Sequence, residues 1–476
     1  MQKERKTAVI LAAGKGTRIK HLNQSIPKPL LKLCGLSLIE RTIKSLSRVG
    51  ISEIVVVIDN QDNGKKIQEA LGNGSRYQVQ IHYAINPDNE KPNGYSLYCA
   101  LDHVKTESFF ILMSDHVLEP KFYQMAEATS HEKDSLILFV DHNIESVFDL
   151  PDATKVQYNI ETSCIEKISK NLPQYNAIDT GIFLCHRGIF SSVKKLHDVK
   201  NGDFTLSNIV ELLAEKGHAK VQSNKNLWWQ DVDTQEAYDH AEKKMLKMQI
   251  KDSDTWVSRH MNRPVSLFFS RFFLKTPITP NHISVMSCMI SLLAPLFLIQ
   301  GTYWGFLLGA LVYHMASVLD GSDGEVARLK MQEATSGEWV DTLSDIASHF
   351  FFLGGLVFGL YRRDQSPIYF LLGIISLLSI GSLLLLLLNY IKTVAKRGSL
   401  LAFKNAYETQ AKSSGGSAVW FSKLTPLIQR ATYALLFVIF ALINVPEITL
   451  YALAIGPLAA FFIIYFSFFW RRNISQ

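Results

Sequence analysis

Cysteine is scarce and scattered in this chain: Cys34, Cys99, Cys164, Cys185 and Cys288, with no C-x-x-C pair and no histidine–cysteine cluster. That spacing argues against a cysteine zinc site or a disulfide framework and suits a reducing cytosol. Charged residues are only 19% of the 476, and the net charge of +6 arises without any basic–aromatic tract, so no nucleic-acid surface is expected. The opening MQKERKTAVILAAG is basic, but its short apolar run leads into a glycine loop instead of a small-residue cleavage site. No signal peptide is expected.

The first half lacks apolar runs of membrane-spanning length, whereas such runs recur from about Asn281 onward. We therefore divide the chain into a soluble domain over 1–245, a linker with a juxtamembrane helix over 246–276, and an all-α membrane domain over 277–476. In the soluble part, the apolar strand Thr7 to Ala13 feeds Gly14-Lys15-Gly16-Thr17-Arg18. Such a loop lets backbone N–H groups approach phosphate oxygens, and its lysine and arginine add positive charge. Helices then alternate with strands: helix 36–49, strand 53–59, helix 65–71, strand 79–84, helix 95–104 and strand 109–113. This predicts an α/β sheet with Ser114-Asp115-His116 at a strand end, where open α/β sheets place ligand-binding residues.

The densest chemistry lies between residues 320 and 345. Asp320 and Asp323 are three apart and Asp341 and Asp345 four apart, so each pair shares a helix face. Carboxylates at membrane depth are costly unless compensated, and four converging across a helix hairpin suit hard divalent cations. Gly324, Ala327 and Gly337 beside them allow close helix approach or leave room for a flat ligand. An ion-pair network in which Arg328 neutralises one aspartate is the structural alternative; it leaves three carboxylates uncompensated.

Between Thr255 and Lys275, aromatic residues mix with Arg259, Arg263 and Arg271, which predicts an amphipathic interfacial helix. Six spans are expected: 279–299, 303–320, 337–360, 367–391, 427–443 and 448–470. The loops on the aspartate side carry Arg328, Lys330, Lys392, Lys396, Arg397, Lys404, Lys412, Lys423, Arg471 and Arg472, against Arg362 and Arg363 opposite. The positive-inside bias predicts that the soluble domain, the C-terminus and the aspartates face the cytosol.

Two resemblances follow from these motifs. L-A-A-G-x-G-T-R, then K-P-L at Lys28, the strand-end Asp115 and W-x-D-x-D-T from Trp229 resemble the sugar-phosphate nucleotidyltransferases. That implies a Rossmann-like fold of GT-A type, with Gly14, Gly16 and Arg18 holding a nucleoside triphosphate and Lys28 its phosphates near the reacting centre. It also implies Asp115 as a metal ligand with Asp231, or Asp233, as the second. Gly94 would lie where the base is read, and Lys170, or Lys155, would meet the acceptor phosphate. Asp179-Thr180-Gly181 would approach the acceptor hydroxyls.

The pattern Asp320-x2-Asp323-Gly324-x2-Ala327-Arg328-x8-Gly337-x3-Asp341-x3-Asp345 resembles the complete signature of the CDP-alcohol phosphatidyltransferases. This implies that Asp320, Asp323 and Asp341 hold two divalent ions across the donor pyrophosphate, with Asp345 as general base or completing the metal shell. Gly324, Ala327, Arg328 and Gly337 would form the CMP pocket. Mg2+, with Mn2+ as a substitute, is the implied metal of both sites.

The fusion implies that the first site makes what the second consumes, which selects CTP. The arrangement is similar to bifunctional enzymes joining an inositol-1-phosphate cytidylyltransferase to a di-myo-inositol-1,3'-phosphate-1'-phosphate synthase. The implied partners are CTP, inositol 1-phosphate or another phosphorylated polyol, a CDP-alcohol intermediate, membrane lipids, and a second copy of the chain through the membrane domain. Two alternatives stand: a lipid hydroxyl as acceptor, giving a phospholipid, or one half serving only as a regulatory or anchoring module.

Overall fold

A computed structural model describes residues 6–16, 26–252, 254–333, 335–390 and 430–465. The chain splits into two compact units, Met1–Lys247 and Met248–Gln476.

The first unit is built on a nine-stranded mixed sheet. Its strands are β1 (Lys6–Leu11), β4 (Glu53–Asp59), β5 (Gln80–Asn86), β6 (Ser108–Met113), β8 (Leu136–Asp141), β9 (Lys155–Tyr158), β10 (Ile165–Ser169), β11 (Ala177–His186) and β12 (Ala219–Ser223). Two small ribbons pair β2 (Lys32–Leu33) with β3 (Leu36–Ser37), and β7 (His116–Leu118) with β13 (Trp229–Asp231). Helices α1 (Leu38–Arg48), α2 (Asp62–Leu71), α3 (Asn93–Cys99), α4 (Pro120–Ala128), α5 (Phe190–Lys200), α6 (Leu206–Ala214) and α7 (Gln235–Lys247) complete it.

The sheet runs β10-β9-β11-β6-β1-β4-β5, with β1, β4, β5 and β6 parallel and β11 antiparallel to β6. Near-continuous apolar strands such as Glu53–Asp59, EIVVVID, are buried on both faces, as a helix-covered parallel sheet requires. One face packs Val9, Val55, Phe109 and Ile111, and the other packs Ile10, Ile54, Val56 and Leu112. Helix α1 begins with a reciprocal capping box between Ser37 and Glu40, two donors satisfied at once.

The second unit is helical. It comprises α8 (Arg263–Leu274), α9 (Pro280–Ser291), α10 (Ala294–Leu298), α11 (Tyr303–Leu329), α12 (Thr335–Asp364), α13 (Ile368–Tyr390), α14 (Arg430–Leu442) and α15 (Glu447–Ile464). Among the described residues, Pro280–Leu298, Val340–Asp364 and Ile368–Leu386 are long and apolar enough to cross a membrane. The expected first span is interrupted between α9 and α10, where Pro295 supplies no N–H and crowds the carbonyl four residues back. The second expected span, 303–320, lies in α11, which continues to Leu329 and carries Asp320 and Asp323 within it. Helix α11 is central, packing on α8, α9, α10 and α14. Lys392, Lys396, Arg397, Lys404, Lys412, Lys423, Arg471 and Arg472 lie outside the described residues.

Candidate active sites

In the first unit, strand register assembles the site. Leu11 pairs with Met113, so the loop bearing Gly14 and Gly16 and the segment Ser114-Asp115 leave the sheet side by side. In the β7–β13 ribbon, His116 lies directly opposite Asp231. Asp115, His116 and Asp231 can bring one ligand atom each within 4.8 Å of one another. Among the described residues Asp231 Oδ1 is buried without a hydrogen-bond partner, an orphan that fits a cation site.

Lys28 reaches into this group. Its side chain is 7% exposed, its Nζ lies 2.6 Å from Asp115 Oδ2 and 3.8 Å from Asp231 Oδ1, and it also bonds Asp233. Burial works against the ammonium, but the three aspartates outweigh it and raise its pKa. Burial likewise opposes ionisation of Asp115, yet Lys28 and His116 hold it well below the usual carboxylate range. Asp231 behaves oppositely: burial, with Asp115 and Asp233 adding repulsion, pushes it up to about 7. Burial also lifts Asp179 to about 6.

His116 donates or accepts at Nδ1 with Asp115 Oδ1 at 2.9 Å and stacks on Trp229, whose indole N–H donates to Asp141 at 2.8 Å. It does so because Gly181 has no side chain: a Cβ there would fall 2.6 Å from the imidazole, and Gly181 has φ of +77°. Gly181 occupies an irregularity in the β11–β8 pairing, and its N–H donates to Asp179 at 2.7 Å. Such bulges re-aim side chains, and this one turns Asp179 toward a cavity.

Two cavities meet at Asp115. One, of about 290 Å³, is lined by Gly14, Gly16, Lys28, Asn93, Ser96 and Asp233. Gly16 has φ of +57°, and a Cβ there would lie 2.8 Å from that of Lys28. The other, of about 210 Å³, is lined by His116, Lys170, Asp179, Gly181, Trp229 and Asp231. Lys170 is half exposed at its rim and pairs with Asp152 at 2.9 Å. Lys155 instead is buried and donates to the carbonyls of Pro151, Ala153 and Lys170. Gly94 packs where a Cβ would strike the Phe204 carbonyl at 2.5 Å, and Arg18 lies outside the described residues.

In the second unit, Asp320, Asp341 and Asp345 can place one ligand oxygen each within 4.8 Å of one another. Among the described residues Asp341 Oδ1 is buried without a hydrogen-bond partner, which again fits a cation. Asp323 is outside that trio and accepts from Ser284 at 2.5 Å. Gly324 and Ala327 continue the aspartate face of α11; Arg328 curls back over Gly324, its Nε donating to Gln249 at 2.9 Å and its Nη2 without a partner among the described residues. The backbone of Gly337 approaches Asn281, whose Oδ1 would be 3.0 Å from an added Cβ.

Two charged residues here escaped the sequence reading. Arg430, on α14, pairs with Asp345 and lies 3.3 Å from Asp320, with its guanidinium 5.5 Å above the Tyr313 ring. Its signal was a lone arginine opening an apolar run. Glu325 is fully buried on α11 and accepts from Arg263 at 2.7 Å, Ser266 at 2.7 Å and Ser270 at 2.6 Å, all on α8.

Fold and sites together define a two-domain enzyme, a nucleotidyltransferase joined to a CDP-alcohol phosphotransferase. The family models agree: Nucleotidyl transferase matches residues 7–248 and CDP-alcohol phosphatidyltransferase residues 277–465. A protein of Aquifex aeolicus named bifunctional IPC transferase and DIPP synthase is 35% identical over 74% of this chain and 76% of its own length. One of the same name from Thermococcus kodakarensis is 33% identical over 78% of this chain and 79% of its own. A solved inositol-1-phosphate CTP transferase from T. maritima aligns at 26% identity and a TM-score of 0.44, covering 51% of this chain and 97% of its own. The chain belongs to the family of bifunctional IPC transferases and DIPP synthases.

Proposed function

We propose that the chain makes CDP-inositol from CTP and inositol 1-phosphate, then transfers the inositol phosphate of CDP-inositol to a hydroxyl of a second inositol phosphate, releasing CMP. The observation that carries this is the presence of both carboxylate groups, Asp115/Asp231 and Asp320/Asp341/Asp345, in one chain of this family.

In the first reaction the backbone at Gly14 and Gly16, with Arg18, holds the triphosphate, while Lys28 neutralises charge near the α-phosphorus. Lys170 at the rim holds the acceptor phosphate and Asp179 accepts from its ring hydroxyls. Asn93 and Ser96, carried on the helix that Gly94 lets pack closely, face the nucleotide. Asp115 and Asp231 would hold Mg2+, or Mn2+, and Asp233, bonded to Lys28, orients that lysine. The acceptor phosphate oxygen attacks the α-phosphorus and pyrophosphate departs.

In the second reaction Asp320, Asp323 and Asp341 would hold divalent cations across the donor pyrophosphate. Asp345 takes the proton of the attacking hydroxyl, and the bond from the β-phosphorus to the CMP oxygen breaks. Gly324, Ala327, Arg328 and Gly337 form the CMP pocket. When bound, the divalent cations of either site neutralise phosphate charge and act as Lewis acids.

The membrane arrangement is part of the same reading: six spans, cytosolic termini and active sites, and a homodimer through the helical unit. The positive loops support the orientation. Helix α8 supports an interfacial position, since it buries Ser266 and Ser270 and turns Phe268 (72% exposed) and Phe272 (60%) outward.

A lipid acceptor is the second reading. It is favoured by an apolar cavity of about 600 Å³ lined by Leu383, Tyr433, Leu436, Phe440 and Ile455 and by His349, one turn from Asp345. The test supplies the protein in liposomes with CTP, Mg2+ and inositol 1-phosphate, with and without diacylglycerol, and identifies products by mass spectrometry. A soluble phosphodiester plus CMP is expected, and Asp345→Ala should accumulate CDP-inositol. A lipid product would replace the acceptor, and unchanged product from Asp345→Ala would refute the second site.

A further inference from the structure

We propose that Ser284 and Ser287 of α9 are positioning residues for the carboxylates of the helical unit, pinning one oxygen of Asp323 and of Asp320. The proposal rests on the reading of these aspartates as cation ligands. An aspartate has two free side-chain torsions, and four carboxylates repel one another, so something must hold their oxygens convergent. Ser287 Oγ donates to Asp320 Oδ1 at 2.9 Å, while Asp320 Oδ2 is the oxygen turned to Arg430 at 3.3 Å. Ser284 Oγ lies 2.5 Å from Asp323 Oδ2, and the Gly324 N–H bonds the other oxygen.

Neither serine is needed there to solvate itself. A buried helical serine can satisfy its hydroxyl on a carbonyl three or four residues back, and both have one in reach: Pro280 O at 3.3 Å for Ser284, Ser284 O at 2.9 Å for Ser287. The bond to an ionised carboxylate is the stronger one. Both serines are buried, at 3% and 1% exposure, so water does not compete. Ser291 continues the same helix face but bonds Ser348 Oγ at 2.6 Å and the Cys288 carbonyl at 2.7 Å, with no bond to an acid among the described residues. It is an internal control for the same chemistry without the same job.

Outer partners of metal-holding carboxylates are worth roughly 10- to 100-fold in metal affinity. The experiment uses the full chain in detergent with the soluble site neutralised by Asp115→Asn and Asp231→Asn, and titrates Mn2+ by electron paramagnetic resonance. In this background Ser284→Ala and Ser287→Ala should each weaken Mn2+ binding about 10-fold. Ser287→Thr, which keeps the hydroxyl, should restore it, and Ser291→Ala should leave it unchanged. With the soluble site intact, CMP release from supplied CDP-inositol should need more metal for half-activation but recover at saturation. Unaltered Mn2+ affinity in both alanine variants, or an equal loss in Ser291→Ala, would overturn the proposal. Failure of the underlying ligand reading looks different: Mn2+ binding would then survive Asp341→Asn.

Discussion

Removing Arg263 tests how firmly α8 is fixed to the helix that carries the aspartates. Glu325 is 0% exposed and Arg263 13%, and Arg263 also holds Asp254 at 2.9 Å. Deleting one partner of a buried ion pair costs about 3–5 kcal/mol because the other charge is left uncompensated. Ser266 and Ser270 still donate to Glu325, so the lower end, about 3 kcal/mol, applies to Arg263→Ala. For a unit of this size about 2–4 °C accompanies each kcal/mol, so the unfolding midpoint should fall by about 6–12 °C. Glu325→Gln keeps an acceptor oxygen and removes the charge, and should cost only about 1–2 kcal/mol. The double variant should then be more stable than the sum of the two losses, since no uncompensated carboxylate remains. The assay is a double-mutant cycle on thermal midpoints in one detergent at one scan rate. Losses that add to within about 0.5 kcal/mol would refute the pairing as the source of α8 docking.

Three further outcomes follow from the soluble site. Gly181→Ala should abolish CDP-inositol formation while sparing CMP release from supplied CDP-inositol, because the new Cβ meets His116 at 2.6 Å; normal first-step kinetics would refute it. Lys170→Ala should raise KM for inositol 1-phosphate about tenfold or more with little effect on folding, whereas Lys155→Ala, which strips a buried cation from three carbonyls, should lower stability; the reverse pattern would exchange their roles. Asp179 is raised by burial to about 6 from 3.8, so the folded state holds its proton more tightly, and this contribution is complete below about pH 4 and lost as pH rises through 6. A shift of about 2 units corresponds to at most ~3 kcal/mol, less for a group facing a cavity, so Asp179→Asn should be more stable than wild type by about 1–2 kcal/mol at pH 8 and equal to it near pH 4 by urea titration.

The sheet was legible because its signals are local. Strand 53–59 follows residue for residue from an apolar run between two polar ends, and the glycine loop from glycines that follow a buried strand. The aspartate faces of α11 and α12 were equally legible, since three- and four-residue spacing on a helix is a property of sequence alone. What escaped depends on tertiary packing. Arg430 is remote in sequence from Asp320 and meets it because α14 packs on α11, where Asp320 lies. Glu325 lies two residues from Asp323, but no spacing rule says that it turns toward α8 and away from the aspartates. Burial, which also depends on packing, separates Lys155 from Lys170: Lys155 is drawn under the carbonyls of the 151–153 turn, and Lys170 stays at the cavity rim.

The two sites solve one electrostatic problem in the same way. In the soluble unit Asp115, Asp231 and Asp233 gather around a single lysine, and in the helical unit Asp320, Asp341 and Asp345 gather near a single arginine. Neither Lys28 with His116 nor Arg430 alone balances three carboxylates, and the oxygens of Asp231 and Asp341 left without a partner among the described residues suit a divalent ion. The basic residue differs with the task. Lys28 presents a compact ammonium that meets its aspartates through one nitrogen, whereas Arg430 is a planar fork held over an aromatic ring. Exchanging them is therefore not conservative at either site: Lys28→Arg would put a wider, rigid fork among three aspartates, and Arg430→Lys would lose the planar contact with the Tyr313 ring.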